Sequence, residues 1–129
     1  MTSTQSSTTG SFPNITSNQL IPSDNDDGYA SKTIDFDFPF YGNNYNNLYI
    51  RTDGSIAFEP GFSFIRSNDA IIQNKVISIF ASDLMIYPTD GDGIFYEGNE
   101  NYATFRWKTS LFEQQSANID VAIDRKSVV

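Results

Sequence analysis

Phe36-Asp-Phe-Pro-Phe-Tyr-Gly42 is followed, after a short polar stretch, by Leu48-Tyr-Ile-Arg-Thr-Asp-Gly-Ser-Ile-Ala-Phe58. These two segments decide the fold. Ile34, Phe36 and Phe38 alternate with Thr33, Asp35 and Asp37. A period of two is that of a strand with one face in a core and the other in water. Pro39 and Gly42 are expected to end the strand at a corner. Leu48 to Phe58 has the pattern of a hairpin, with Asp53-Gly54 supplying the positive φ angles of a tight turn.

The same signals repeat outward from this centre. Asp24-Asn-Asp-Asp-Gly28 reads as a loop before the first long strand, and Asn43-Asn-Tyr-Asn-Asn47 as a polar loop after it. Residues 67–73 are open to a short helical turn or a loop. Val76 to Phe80 is continuously apolar, as in a strand covered on both sides. Pro88 to Gly93 is turn-rich, and Gly93 to Glu97 a short strand. Along Tyr102 to Thr109, Ala103, Phe105 and Trp107 share one phase, and Thr104, Arg106 and Lys108 the other. Ile119, Val121 and Ile123 alternate in a last strand. No segment keeps a helical period over three turns. Short strands separated by turn signals predict an all-β protein, an antiparallel sandwich with short loops.

The chain has 129 residues, of which 39% are hydrophobic, enough for one domain with its own core. Residues 1–11 are Ser/Thr-rich and read as a flexible tail, leaving 12–129 as a single module. There is no cysteine and no histidine, so Cys-His and Ser-His-Asp catalysis, disulfides and thiolate metal sites are excluded. The net charge of −8 repels phosphate backbones and anionic lipid, which argues against nucleic acid. No apolar run approaches the roughly 20 residues of a membrane span, so no membrane insertion is expected. Residues 1–11 carry neither a basic nor an apolar leader region. Either the protein is cytosolic or Met1 begins a chain from which an export signal was removed. Asn14-Ile15-Thr16 fits a glycosylation triplet.

The order of the motifs resembles nidogen-like extracellular modules, including those of bacterial surface and secreted proteins. The resemblance runs from about residue 24 to about residue 123. It rests on Asp26-Asp-Gly28, Phe38-Pro-Phe-Tyr-Gly42, Leu48–Phe58, Ile77-Ser-Ile-Phe-Ala-Ser-Asp-Leu84, Gly93-Ile-Phe-Tyr96 and Phe105-Arg-Trp-Lys108, in that sequence. Asp83 stands where such families often carry an acid. The resemblance implies a mostly non-enzymatic module of a multidomain protein, extracellular or on the cell surface. It also implies one more turn and strand than Asp124–Val129 can supply. The last β segment is therefore expected to be missing, replaced or supplied by another chain. Residues 12–22, with Phe12, Ile15, Leu20 and Ile21 as anchors, or a strand from a second chain would complete the sheet. The protein would be a monomer in the first case and a strand-exchanged oligomer in the second.

Candidate chemistry is sparse. Asp24, Asp26 and Asp27 cluster before Gly28, and Asp90 and Asp92 alternate with Gly91 and Gly93. Carboxylates so spaced can converge on calcium. Neither run has the EF-hand spacing, and turn chemistry by itself accounts for Asp beside Gly. No other cofactor is suggested. Tyr41, Tyr45 and Tyr49 flank the aromatic corner and could stack on a sugar or peptide, or could simply pack that corner. With 16 acids, some pair always suits glycoside hydrolysis, so that signal is nearly empty. No Ser-x-x-Lys occurs. The expectation is a non-catalytic interaction or adhesion module touching protein or glycan at a surface. The alternatives are a carbohydrate-binding accessory domain of a secreted hydrolase and, further off, a small acidic enzyme.

Overall fold

The computed structural model describes residues 13–40, 42–59, 76–79, 84–112 and 114–126. Among these, two antiparallel sheets pack face to face. The first contains β1 (Gln19–Leu20), β6 (Leu84–Met85), β7 (Gly93–Gly98), β8 (Tyr102–Leu111) and β9 (Gln114–Lys126). The second runs β2 (Tyr29–Phe40), β3 (Asn43–Arg51), β4 (Ser55–Ala57), β5 (Ile77–Ser78). A single 3-10 turn, Pro88–Asp90, interrupts the path from β6 to β7. β9 follows one edge of β8 from Tyr102 to Leu111, so β7 and β6 succeed each other along the opposite edge. The all-β antiparallel sandwich expected from the sequence is the fold.

The alternation in β2 survives intact: Ala30, Lys32, Ile34, Phe36, Phe38 and Phe40 face in, while Ser31, Thr33, Asp35 and Asp37 face water. Ile34, Leu48, Ile50, Ile56 and Phe58 of the second sheet meet Ile94, Tyr96, Ala103, Phe105 and Trp107 of the first. Ile50, Phe58, Phe105 and Trp107 are buried. Phe36, Phe38, Ile77, Ile79 and Val121 are partly buried against them. Phe58 gathers the aromatic corner, with ring centroids of Phe40 and Tyr45 each 4.6 Å away.

Several local expectations are corrected. Pro39 does not end β2, which continues to Phe40 and pairs Pro39 with Asn44. β2 is an edge strand, where a residue without an N–H is tolerated. Asn43–Asn47 is the start of β3 rather than a loop. The two strands return at Gly42, whose φ of 78° is the left-handed conformation that glycine adopts freely. The register shifts between Thr33 and Phe38, a bulge that lets both Tyr45 and Leu48 face in. The hairpin after β3 has three loop residues, Thr52, Asp53 and Gly54, with only Gly54 at positive φ. Gly54 N–H donates to Arg51 O, so this is a type I turn followed by a left-handed glycine. The strand expected over Val76–Phe80 is Ile77–Ser78; Phe80 lies outside the described residues, as do residues 1–12, 67–73 and Asp83.

The outer phase of β8 is also buried: Thr104 is 5% and Arg106 6% exposed. The cover is the N-terminal segment. Arg106 Nη1 donates to Ile15 O at 2.8 Å, while Nε and Nη2 grip the Asp120 carboxylate of β9 at 3.0 and 2.8 Å. Residues 12–22 or a strand from a second chain are expected to complete the sheet. Gln19 and Leu20 do join it, beside β7 and away from β9. Among the described residues no strand pairs with the outer edge of β9.

Candidate functional site

Lys32 occupies an inward position of β2, between Ala30 and Ile34. An ammonium cannot remain in an apolar layer without a partner or a route to water. Its route opens where β2 faces β1 and β7. There the ammonium lies 4.6 Å from the Tyr96 ring centroid, a cation–π contact. The position opens into a polar cleft of about 420 Å³, lined by Asn18, Gln19, Leu20, Lys32, Asp35, Tyr96 and Gly98. That volume is within the usual range for small-ligand sites.

Each wall has a local cause. Asn18 takes a left-handed φ of 54°, and its carbonyl accepts the Tyr96 N–H at 3.2 Å. This turns Gln19 and Leu20 into register with Phe95 and Ile94. The Gln19 amide lies over Gly93, so near that a Cβ there would come within 2.7 Å of Nε2. The Tyr96 hydroxyl lies against Gly98 so closely that any side chain at 98 would displace it. Burial, reinforced by the Asp35 carboxylate, raises the Tyr96 pKa, so the phenol stays protonated and able to donate. Neither Lys32 nor Asp35 has a hydrogen bond or ion pair among the described residues. The cleft therefore holds three free N–H donors on a cation and an acceptor-only carboxylate.

The residues singled out from sequence fall elsewhere. Asp24 Oδ1 accepts the Asp26 N–H at 2.8 Å within the loop, and Asp27 sits at a φ of 57°. Asp26 bridges to Met85, and Asn25 O accepts the Ile86 N–H. Gly28 is held so tightly that a Cβ would strike the Asp24 backbone. Asp92 is 4% exposed and turned inward, accepting the Tyr87 N–H at 3.1 Å and the Ser110 hydroxyl at 3.0 Å; it closes the turn around Pro88–Asp90, whose Asp90 side is exposed. Among the described residues no three acids come together in a group that could hold a metal ion. Tyr45 packs on Phe58, and Tyr49 meets Tyr29 edge to face at 5.5 Å. Tyr41 lies outside the described residues. A second void, about 20 Å³ between Ile34, Phe36, Phe105 and Ile123, has apolar walls and is a packing gap of roughly one water's size.

Sequence reading missed Lys32, Asp35, Gln19 and Tyr96. One signal was present: Lys32 is the only charged residue in the inward phase of β2 from Ala30 to Phe40.

The fold is a β-sandwich module with a polar cleft beside its N-terminal strand. The chain matches the family described as "NIDO related" over residues 3–120, and so it belongs to that nidogen-related family. No curated protein and no solved structure matches it.

Proposed function

We propose that this chain is a non-catalytic interaction module, displayed outside the cell or on its surface, that contacts protein or glycan through the cleft between β1, β2 and β7. Membership of the nidogen-related family supports the extracellular setting. No helix among the described residues is long and apolar enough to cross a membrane. The observation that carries the assignment of the surface is Lys32, an inward-phase lysine whose ammonium opens into the cleft beside Asp35 and Tyr96. Charged groups without partners in a recess are the features by which such a surface fixes a polar ligand. A carbohydrate-binding accessory role is the second reading, favoured by the same mixture of donors and acceptors.

The test is a binding screen of the purified module against immobilised extracellular proteins and a glycan panel. Wild type is compared with Lys32→Met and Asp35→Asn. Binding to at least one class, reduced in both variants, is expected. Binding that is indifferent to both substitutions would move the contact surface elsewhere and overturn the assignment.

A further inference from the structure

Resting on that assignment of the cleft, we propose that its ligand is an acidic sugar residue, with the Lys32 ammonium taking the sugar carboxylate and Asp35 accepting its ring hydroxyls.

The charges select the ligand. The Lys32 ammonium is held against the Tyr96 ring face at 4.6 Å, which restrains a side chain that otherwise samples many rotamers. Restrained and in no ion pair among the described residues, it is a preformed partner for an anion. Asp35, on the exposed phase of the same strand, also lines the cleft and can only accept hydrogen bonds. A ligand must therefore present one negative group and, close to it, neutral donors. A uronate ring does both within a single residue: one carboxylate, then adjacent hydroxyls. The Tyr96 hydroxyl, kept protonated by burial and by Asp35, adds a group that can serve a further ring oxygen.

The same charges exclude competitors. A phosphate dianion would set two charges against Asp35 in a protein of net charge −8, with a single lysine to offset them. An acidic peptide would bring further carboxylates into the same field and fewer hydroxyl donors near the first. A neutral sugar would offer the ammonium no charged acceptor, and hydrogen bonds to charged groups are the stronger ones.

Methyl glucuronide and methyl glucoside are a matched pair, differing only in carboxylate against hydroxymethyl. Each is titrated into the 129-residue chain at low salt and followed by NMR chemical shifts. Glucuronide should bind about tenfold or more tightly than glucoside, with shifts centred on Lys32, Asp35 and Tyr96. Lys32→Met should abolish that preference. Asp35→Asn should weaken the glucoside and, by removing a negative charge beside the sugar carboxylate, leave the glucuronide preference at least as large. A melting curve checks that each variant is folded, with Lys32→Gln as the replacement if the first is not. Equal affinity for the two sugars would overturn the acidic-sugar assignment while leaving the cleft as a glycan site. Tighter binding of inorganic phosphate, or of N-acetylglutamate amide, would overturn it in favour of a general anion site or a peptide. No binding by any probe would overturn it too, and the protein and glycan screen then decides separately whether the cleft is a contact surface.

Discussion

Two pairs of opposite charges on neighbouring strands are treated in opposite ways. Arg51 and Asp53 are each 2% exposed, with Nε and Oδ2 3.7 Å apart, and Ser55 donates to Asp53 at 2.6 Å. Around them Thr52 and Gly28 exchange hydrogen bonds, and Trp107 Nε1 donates to Arg51 O at 2.7 Å. Here the polar groups are enclosed and tied to one another across three segments of chain. Lys32 and Asp35 have no such ties and face an open cleft. The difference teaches how to separate charge that holds a fold from charge that the fold leaves open. Removing a group from the first set leaves buried partners unsatisfied, whereas removing one from the second leaves nothing stranded.

The enclosed region should give the largest effects. Trp107→Ala removes the largest fully buried side chain together with the donor to Arg51 O. A loss of about 3–5 kcal/mol is expected in denaturant unfolding. An exposed, readily truncated Trp107 would break the comparison at its root. Asp53→Ala should follow, at about 3 kcal/mol, because Arg51 would keep its buried charge without that carboxylate. A loss below about 1 kcal/mol would show that the Arg51 environment does not depend on Asp53. Lys32→Met is the opposite case. It removes one cation–π contact, and its stability should stay within about 1 kcal/mol of wild type. A large loss in the same unfolding assay would place Lys32 with the structural charges. The smallest effect is expected from calcium. The acids at Asp24, Asp26, Asp27, Asp90 and Asp92 serve turns in two separate loops, so millimolar Ca²⁺ or EDTA should leave the melting temperature unchanged. A rise with Ca²⁺ would reveal a site that binds the folded state.

The legible part of the fold was the part written in a two-residue period. Ile34, Phe36 and Phe38, and likewise Ala103, Phe105 and Trp107, declare their phase because each strand separates a core from another environment. What the opposite phase meets is not local information. Thr104 and Arg106 look solvent-facing in sequence and are covered, because a segment some 90 residues away lies over them: Ile15 accepts from Arg106 across a separation of 91. The turn at Thr52–Gly54 was foreseen as a turn, but its burial was not, since nothing in Asp53-Gly54 announces Gly28 or Trp107 as neighbours. Among the acids beside glycine, the inward turn of Asp92 rests on Ser110, 18 positions away, which no local pattern announces. Lys32 is visible as an exception to its own strand, yet its meaning needs Tyr96 beside it.

The sequence by itself determined an all-β chain, its hydrophobic phases, the glycine-bearing turns and the order of motifs that belongs to the nidogen-related family. Those follow from local rules, because period, turn geometry and side-chain phase are set by residues a few positions apart. Only the tertiary structure decided which charges are enclosed and which are open, and that the cleft forms where β1, β2 and β7 meet. The physical reason is that burial belongs to a pair of surfaces rather than to a residue. Lys32 and Arg51 sit on neighbouring strands, and the elements brought against them enclose Arg51 beside Asp53 and leave Lys32 open to the cleft.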